Sequence, residues 1–209
     1  MGQEMAFGRV LGLDPSAAAA QIAKSIFGAR EVAVAAPNLL EGFAAGTRVR
    51  TPAGLRRIET LKPGDLVETQ EAGPQPVVAV ERTRLPALRL QAPIRFAAGA
   101  HGAERPVLVA PQQRVLVRDP VLELLFGEAE VLVAARTLVD GEMVSRHPGG
   151  MVDYVRLVFD CAHMVFAEGL AVECFRPGPR PIPGEAAPEA GAPRMLRLQE
   201  SQMMRKLVI

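Results

Sequence analysis

Cys161, His163 and Cys174 are the residues of this sequence whose types and spacing most readily suggest chemistry. Side chains two apart on a strand share a face, so His163 stands where it could take the Cys161 proton and leave a thiolate nucleophile. The same three residues offer two sulfurs and one nitrogen of the kind zinc takes. A structural zinc site, however, wants a fourth ligand at a recognisable spacing, and the sequence supplies none. Buried thiols are the expected outcome for both cysteines. A Cys161–Cys174 disulfide turns on a strand register that the sequence leaves open. His101 and His147, beside Gly and Pro, read as solvated loop histidines. Gly99-Ala100-His101-Gly102 is not a phosphate loop, because no helix opening on Lys and Ser or Thr follows it. No metal and no cofactor is expected.

The elements that must position these residues are short strands. Runs of β-forming residues fall at 47–51, 65–69, 77–81, 85–90, 107–109, 115–117, 131–133, 155–159, 165–167 and 171–175, cut by turns, with a helical turn over Pro120–Phe126 closed by Gly127. Nineteen Gly and 18 Pro spread along 209 residues agree with that pattern. With 49% hydrophobic residues the chain can bury one domain plus short appendages. No Trp, one Tyr and eight Phe supply little to stack on bases, and 24 basic against 23 acidic residues, net +1, give no bulk attraction to nucleic acid or anionic membrane. No signal peptide and no spanning apolar run is evident, so the expectation is a soluble protein, cytoplasmic by default, with non-classical export as the alternative.

Four segments are expected. Residues 1–40 form a helical appendage, where Asp14-Pro15 opens a helix over 17–27 that Gly28 stops; its apolar face carries Ile22, Ile26 and Phe27. Residues 41–178 form the β domain, and 179–193 are a Pro/Gly-rich linker. Residues 194–209 form a C-terminal helix with Leu196, Met203, Met204 and Leu207 at helical spacing, read as packing back on the body, with an unknown protein partner for the terminal helices as the sharper alternative. Inside the domain, Thr60-Leu61-Lys62-Pro63-Gly64-Asp65-Leu66-Val67 returns as Thr137-Leu138-Val139-Asp140-Gly141-Glu142-Met143-Val144. A turn-to-strand sequence arising twice by chance would give the same match; a genuine repeat implies two related halves.

Several motifs occur together in order: Gly42-Phe43-Ala44-Ala45-Gly46-Thr47-Arg48-Val49-Arg50-Thr51-Pro52-Ala53-Gly54, Leu61-Lys62-Pro63-Gly64-Asp65, Val109-Ala110-Pro111-Gln112-Gln113-Arg114-Val115, Leu125-Phe126-Gly127-Glu128 and Val165-Phe166-Ala167-Glu168-Gly169. Over 41 to about 178 this resembles a Hint domain, the Hedgehog/intein autoprocessing fold, and in particular its bacterial group. The resemblance implies an all-β, horseshoe-like, pseudo-twofold fold. In active members it also implies that a first-position Cys or Ser attacks the preceding carbonyl, while a Thr or Ser and a His polarise that peptide and protonate its leaving nitrogen.

Against that pattern the nucleophile position falls on Gly42, the Thr/Ser position on Ala110 and the His position on Gln113. An Asp often found in intein-like members falls on Arg156. His163 is retained as a remnant, displaced by one residue, which on a strand turns it to the other face. Thr47 matches a structural position. The expected protein is a degenerate, non-processing module with no catalytic residues, kept for a structural or interaction role. The alternative is an active self-cleaving or splicing domain with an atypical nucleophile, Cys161.

Overall fold

Short runs of β-forming residues lie between turns, and in the computed structural model, which describes residues 40–174 and 193–208, these stretches pair into two open sheets. In chain order the strands are β1 (Phe43–Ala44), β2 (Arg48–Thr51), β3 (Gly54–Arg57), β4 (Leu66–Thr69), β5 (Gly73–Pro76), β6 (Ala79–Pro86), β7 (Ile94–Phe96) and β8 (Val107–Val109). They continue with β9 (Arg114–Arg118), β10 (Glu130–Ala134), β11 (Val144–Arg146), β12 (Met151–Val158), β13 (His163–Ala167), β14 (Leu170–Cys174) and β15 (Arg194–Met195). The helices are α1 (Pro120–Phe126) and α2 (Leu198–Val208). The fold is all-β, as expected. The expected N-terminal helix and the linker lie outside the described residues, apart from Pro193.

One sheet runs β11-β7-β8-β1-β12-β6; the other runs β15-β10-β9-β14-β13-β2-β3, with β4 also on β13 and carrying β5. All pairings are antiparallel except β10 with β15. β14 is buried along its whole length because its two faces meet different clusters. Leu170, Val172 and Cys174 enter the main core with Phe43, Phe96 and Phe159, while Ala171 joins Leu116, Leu132 and Met164 on the opposite face. A strand buried on both faces is fixed in register, since a one-residue slip would exchange the two clusters.

The local signals explain the helices. Asp119 caps α1 by accepting the Val121 N–H at 2.8 Å, Pro120 stands at the first helical position, and Gly127 closes it with φ +69°. The C-terminal segment differs from the sequence expectation. Residues 194–195 are a strand, parallel to β10, and the helix starts at Leu198. Leu196 and Met204 are buried in the main core, so the segment packs on the body, whereas Met203 is exposed.

The repeat has a structural counterpart. Each copy holds a 3₁₀ turn, Ile58–Thr60 or Ala135–Thr137, in which the final Thr hydroxyl donates to the carbonyl three residues back, at 2.6 and 2.7 Å. A buried leucine follows, Leu61 or Leu138, then a glycine at φ +90° or +94°. The acids work differently: Asp65 closes its turn on the Lys62 N–H, while Asp140, before the glycine, receives Glu142 and Val144.

Several expected strands shift, and the one at 155–159 belongs to β12, which starts four residues earlier, at Met151. The run at 85–90 is not a strand beyond Pro86; the chain turns through a 3₁₀ segment, Arg89–Gln91, with Arg89 at φ +47°. The strand expected at 77–81 starts at Ala79 and runs to Pro86, because its partner β12 matches it residue for residue from Val158 to Met151.

Candidate active site

Residues 40–42 lead into β1, and the loop after β8 receives them. The Ala110 N–H donates to Gly42 O at 2.8 Å and Gln112 N–H to Leu40 O at 3.1 Å. The Gly42 N–H donates to Gln113 Oε1 at 2.9 Å. The other end of that amide, Gln113 Nε2, donates to Glu173 O at 2.6 Å and to Arg114 O at 3.3 Å. Gln113 is 1% exposed, so its side chain is an internal tie between the strand lead-in of one sheet and β14 of the other. Ala110 is fully buried with Leu40 and Tyr154. Tyr154 donates to Gln91 O at 2.9 Å, and burial pushes its hydroxyl pKa up.

Gly42 has φ +116°, and a Cβ there would lie 2.6 Å from Val155 O and 3.0 Å from Val155 C, both backbone atoms of β12. A side chain at this position requires the strands to separate, besides the strained φ. The sequence places Gly42, Ala110 and Gln113 in one site, and the structure brings all three together. Arg156 adjoins the site through its backbone, its N lying 3.4 Å from a Cβ built at Gly42, but its side chain pairs through Nε, at 2.8 Å, and Nη2 with Glu81, its cross-strand partner on β6. Thr47 is structural, donating to Ala44 O at 2.7 Å. Beside Gln113, the buried Arg114 donates to Glu173 at 2.9 Å; burial raises the Glu173 carboxyl, and the Arg114 charge and hydrogen bond oppose that rise only in part.

His163 belongs to a second cluster, at the turn between β12 and β13. Its Nε2 lies 3.1 Å from Cys161 Sγ and 3.7 Å from Asp160 Oδ1, and its Nδ1 lies 3.0 Å from Glu71 Oε1. In the neutral ring, a proton on Nδ1 donates to the carboxylate and leaves the Nε2 lone pair facing the thiol. Glu71 Oε1 also accepts the Met164 N–H at 2.9 Å, and the Gln70 N–H donates to Met164 O at 2.8 Å, so the β4–β5 turn hangs on β13. Phe159 meets the imidazole edge-on at 5.6 Å between centroids. The Cys161 N–H and then its thiol lower the Asp160 carboxyl below its ordinary value.

Cys161 and Cys174 are not joined in a disulfide. Only Cys174 is fully buried, where desolvation first, then Glu173 and Glu71, push its thiol pKa up; Cys161 is half-buried at a turn rather than in the core. His101 lies in a turn between β7 and β8, as expected, but is half-buried rather than solvated: it sits against Phe96 at 6.0 Å, with its pKa lowered by burial despite Asp140. Sequence reasoning missed Glu71, Asp160 and Glu173. Asp160 had a visible signal in its adjacency to Cys161. Glu71 had none, since its contact depends on the pairing of Thr69 with Val165.

Residues 41–179 match the family model of the Hint domain. Among solved structures, the chain is similar to a bacterial intein-like domain from Clostridium thermocellum, at 16% identity over 65% of this chain and 99% of that one, TM-score 0.47. It is similar also to the MchDnaB-1 intein, at 13% identity over 63% and 98%, TM-score 0.43. The gp41-1 intein matches at 11% identity over 63% and 97%, TM-score 0.41. No curated protein matches the sequence. No helix among the described residues is long and apolar enough to cross a membrane.

Proposed function

The chain belongs to the Hint domain family, and from that premise we propose that it is a module whose autoprocessing chemistry is lost while its fold serves as a structural or interaction domain. One observation carries this reading, the direction of the hydrogen bond at the Glu41–Gly42 peptide. Cleaving that bond needs a donor that delivers a proton to the leaving nitrogen. Gln113 instead presents a neutral acceptor to the Gly42 N–H and spends its amide hydrogens on two carbonyls. The contact stabilises the intact peptide, and an amide has no proton to give near neutral pH. Gly42 has no side chain to act as nucleophile, and Ala110 contributes only its backbone N–H.

The test is the intact mass of the purified full chain, alone and with dithiothreitol or hydroxylamine. The expected result is the full-length mass in every condition. Fragments breaking between Glu41 and Gly42 would overturn the reading. The second reading, rearrangement by Cys161, draws on the Cys161–His163–Glu71 hydrogen-bond chain; a fragment that disappears in Cys161→Ala would establish it instead.

A further inference from the structure

We propose that Asp160, Cys161 and His163 form a three-ligand site for a zinc-class divalent cation, with Glu71 as the positioning residue behind the histidine. This stands whether or not the Glu41–Gly42 bond is inert, because it uses none of the residues around Gly42.

The donor atoms already have the spacing of coordination. Cys161 Sγ to His163 Nε2 is 3.1 Å, Sγ to Asp160 Oδ1 is 3.6 Å, and Nε2 to Oδ1 is 3.7 Å. Metal bonds of 2.0–2.3 Å in a tetrahedron give ligand–ligand edges of roughly 3.3–3.6 Å, so a cation enters this triangle with shifts of a few tenths of an ångström. Among the described residues these three are the group of His, Cys, Asp and Glu side chains close enough to hold an ion. One sulfur, one imidazole nitrogen and one carboxylate oxygen make a borderline-soft set, suited to Zn²⁺ or Co²⁺; Ca²⁺ and Mg²⁺ call for oxygen throughout.

The histidine is held for the role. Glu71 Oε1 accepts a hydrogen bond from Nδ1–H, which favours the tautomer whose Nε2 can ligate, and Glu71 is itself anchored by the Met164 N–H. Phe159 seats the ring. Without metal the thiol hydrogen has two acceptors in reach, His163 Nε2 and Asp160 Oδ1, so the fold does not require the ion. On binding, the S–H bond is replaced by a sulfur–metal bond and the proton passes to solvent. Burial grades across the site, from His163 with its side chain 6% exposed to Asp160 at 72%. The triangle therefore has its histidine on the inside and its carboxylate towards solvent.

The experiment uses the full chain stripped with chelator and titrated with Co²⁺, followed by Zn²⁺. One equivalent of Co²⁺ should produce a thiolate-to-cobalt charge-transfer band with the ligand-field bands of a four-coordinate site, and Zn²⁺ should abolish both. Cys161→Ser should remove the charge-transfer band, and Cys174→Ser should leave it unchanged. Asp160→Asn lies on the surface and does not threaten the fold; it should weaken binding. Glu71→Gln, which can still accept the Met164 N–H, should cost about 10–100-fold in affinity. No band at one equivalent, or the same band in Cys161→Ser, would overturn the proposal. So would alkylation of Cys161 by iodoacetamide at one rate with and without Zn²⁺, the result expected of a nucleophile that holds no metal.

Discussion

Gln113 and His163 are both buried and both divide their polar atoms between distant parts of the chain, yet their surroundings differ in kind. Gln113 is surrounded by backbone: it accepts from the Gly42 N–H and donates to the Glu173 and Arg114 carbonyls. His163 is surrounded by side chains that titrate, with Cys161, Asp160 and Glu71 all within 3.7 Å of a ring nitrogen. The first arrangement rigidifies two sheets through an amide that neither gains nor loses a proton near neutrality. The second can exchange protons or take a cation, but ties down only one turn. On the function proposed above, reactivity and structural value are separated in this molecule, with the Gly42 position on the structural side.

The strongest way to break that comparison is to rebuild chemistry at the structural site. A variant with Gly42→Cys, Ala110→Thr and Gln113→His supplies the nucleophile, Thr and His that the family pattern places at these three positions, but the Cβ introduced at position 42 would stand 2.6 Å from Val155 O at a φ of +116°. Intact mass should show no cleavage. Gly42→Ala alone should lower unfolding free energy by about 3–5 kcal/mol, from backbone strain plus forced separation of β1 from β12. Urea denaturation measures this, and a loss below about 1 kcal/mol would show that the strand yields easily, reopening the site to a nucleophile.

Gln113→Leu keeps most of the side-chain volume and removes the tie. The Gly42 N–H and the Glu173 carbonyl would be left buried without that partner, at about 2–4 kcal/mol together. Denaturation of Gln113→Leu beside Gln113→Glu separates the terms. Glu keeps the acceptor for Gly42 but loses the donor to Glu173, and adds a charge that burial opposes. Both variants should be less stable than the parent, and a neutral Gln113→Leu would remove the structural role.

Why one site was legible in the sequence and the other only half so follows from how each is built. Gly42, Ala110 and Gln113 sit in motifs that keep order and spacing, so alignment to a family pattern finds them without any geometry. Strands such as β9 and β14 were legible too, because runs like Val115-Leu116-Val117 are apolar on both faces. β3 and β5 were not, since Gly54-Leu55-Arg56-Arg57 and Gly73-Pro74-Gln75-Pro76 carry no apolar alternation and become strands only by pairing with β2 and β4. The same dependence hides Glu71. It reaches His163, 92 residues away, because β4 pairs with β13, and no local spacing encodes that register.

The two ends of β13 sharpen the comparison through pH. Just past its C-terminal end, Glu168 accepts the Arg48 N–H and Nε at 2.9 Å each and Nη2 at 2.8 Å. Burial pushes its carboxyl up, but the hydrogen bonds from Arg48 and the charges of Arg48 and Arg105 outweigh it, and the folded pKa lies below the ordinary value. A depressed carboxylate pKa contributes stability that is present above the unfolded value and lost as pH falls through the folded one. At neutral pH Glu168→Gln should therefore melt below the parent. The gap should narrow below the ordinary glutamate pKa and close once Glu168 is protonated in the folded protein. A gap constant from pH 7 to pH 3 would mean that the residue acts by shape alone.

Cys161→Ser is the smallest perturbation on stability and the most informative about what the reactive cluster is for. The side chain is half-buried at a turn, its replacement is nearly isosteric, and a hydroxyl can still donate to His163 Nε2, so metal-free stability should change by less than about 0.5 kcal/mol. With Zn²⁺ present the comparison changes. An ion that binds only the folded parent raises its melting temperature by mass action, and a site that has lost its sulfur ligand gains much less. Parent and Cys161→Ser should therefore melt together in chelator and apart in Zn²⁺, with Gln113→Leu shifted down by the same amount in both. If the Zn²⁺-dependent gap fell instead on Gln113→Leu, metal would be reporting on the Gly42 region, and the separation of reactive from structural groups would not hold.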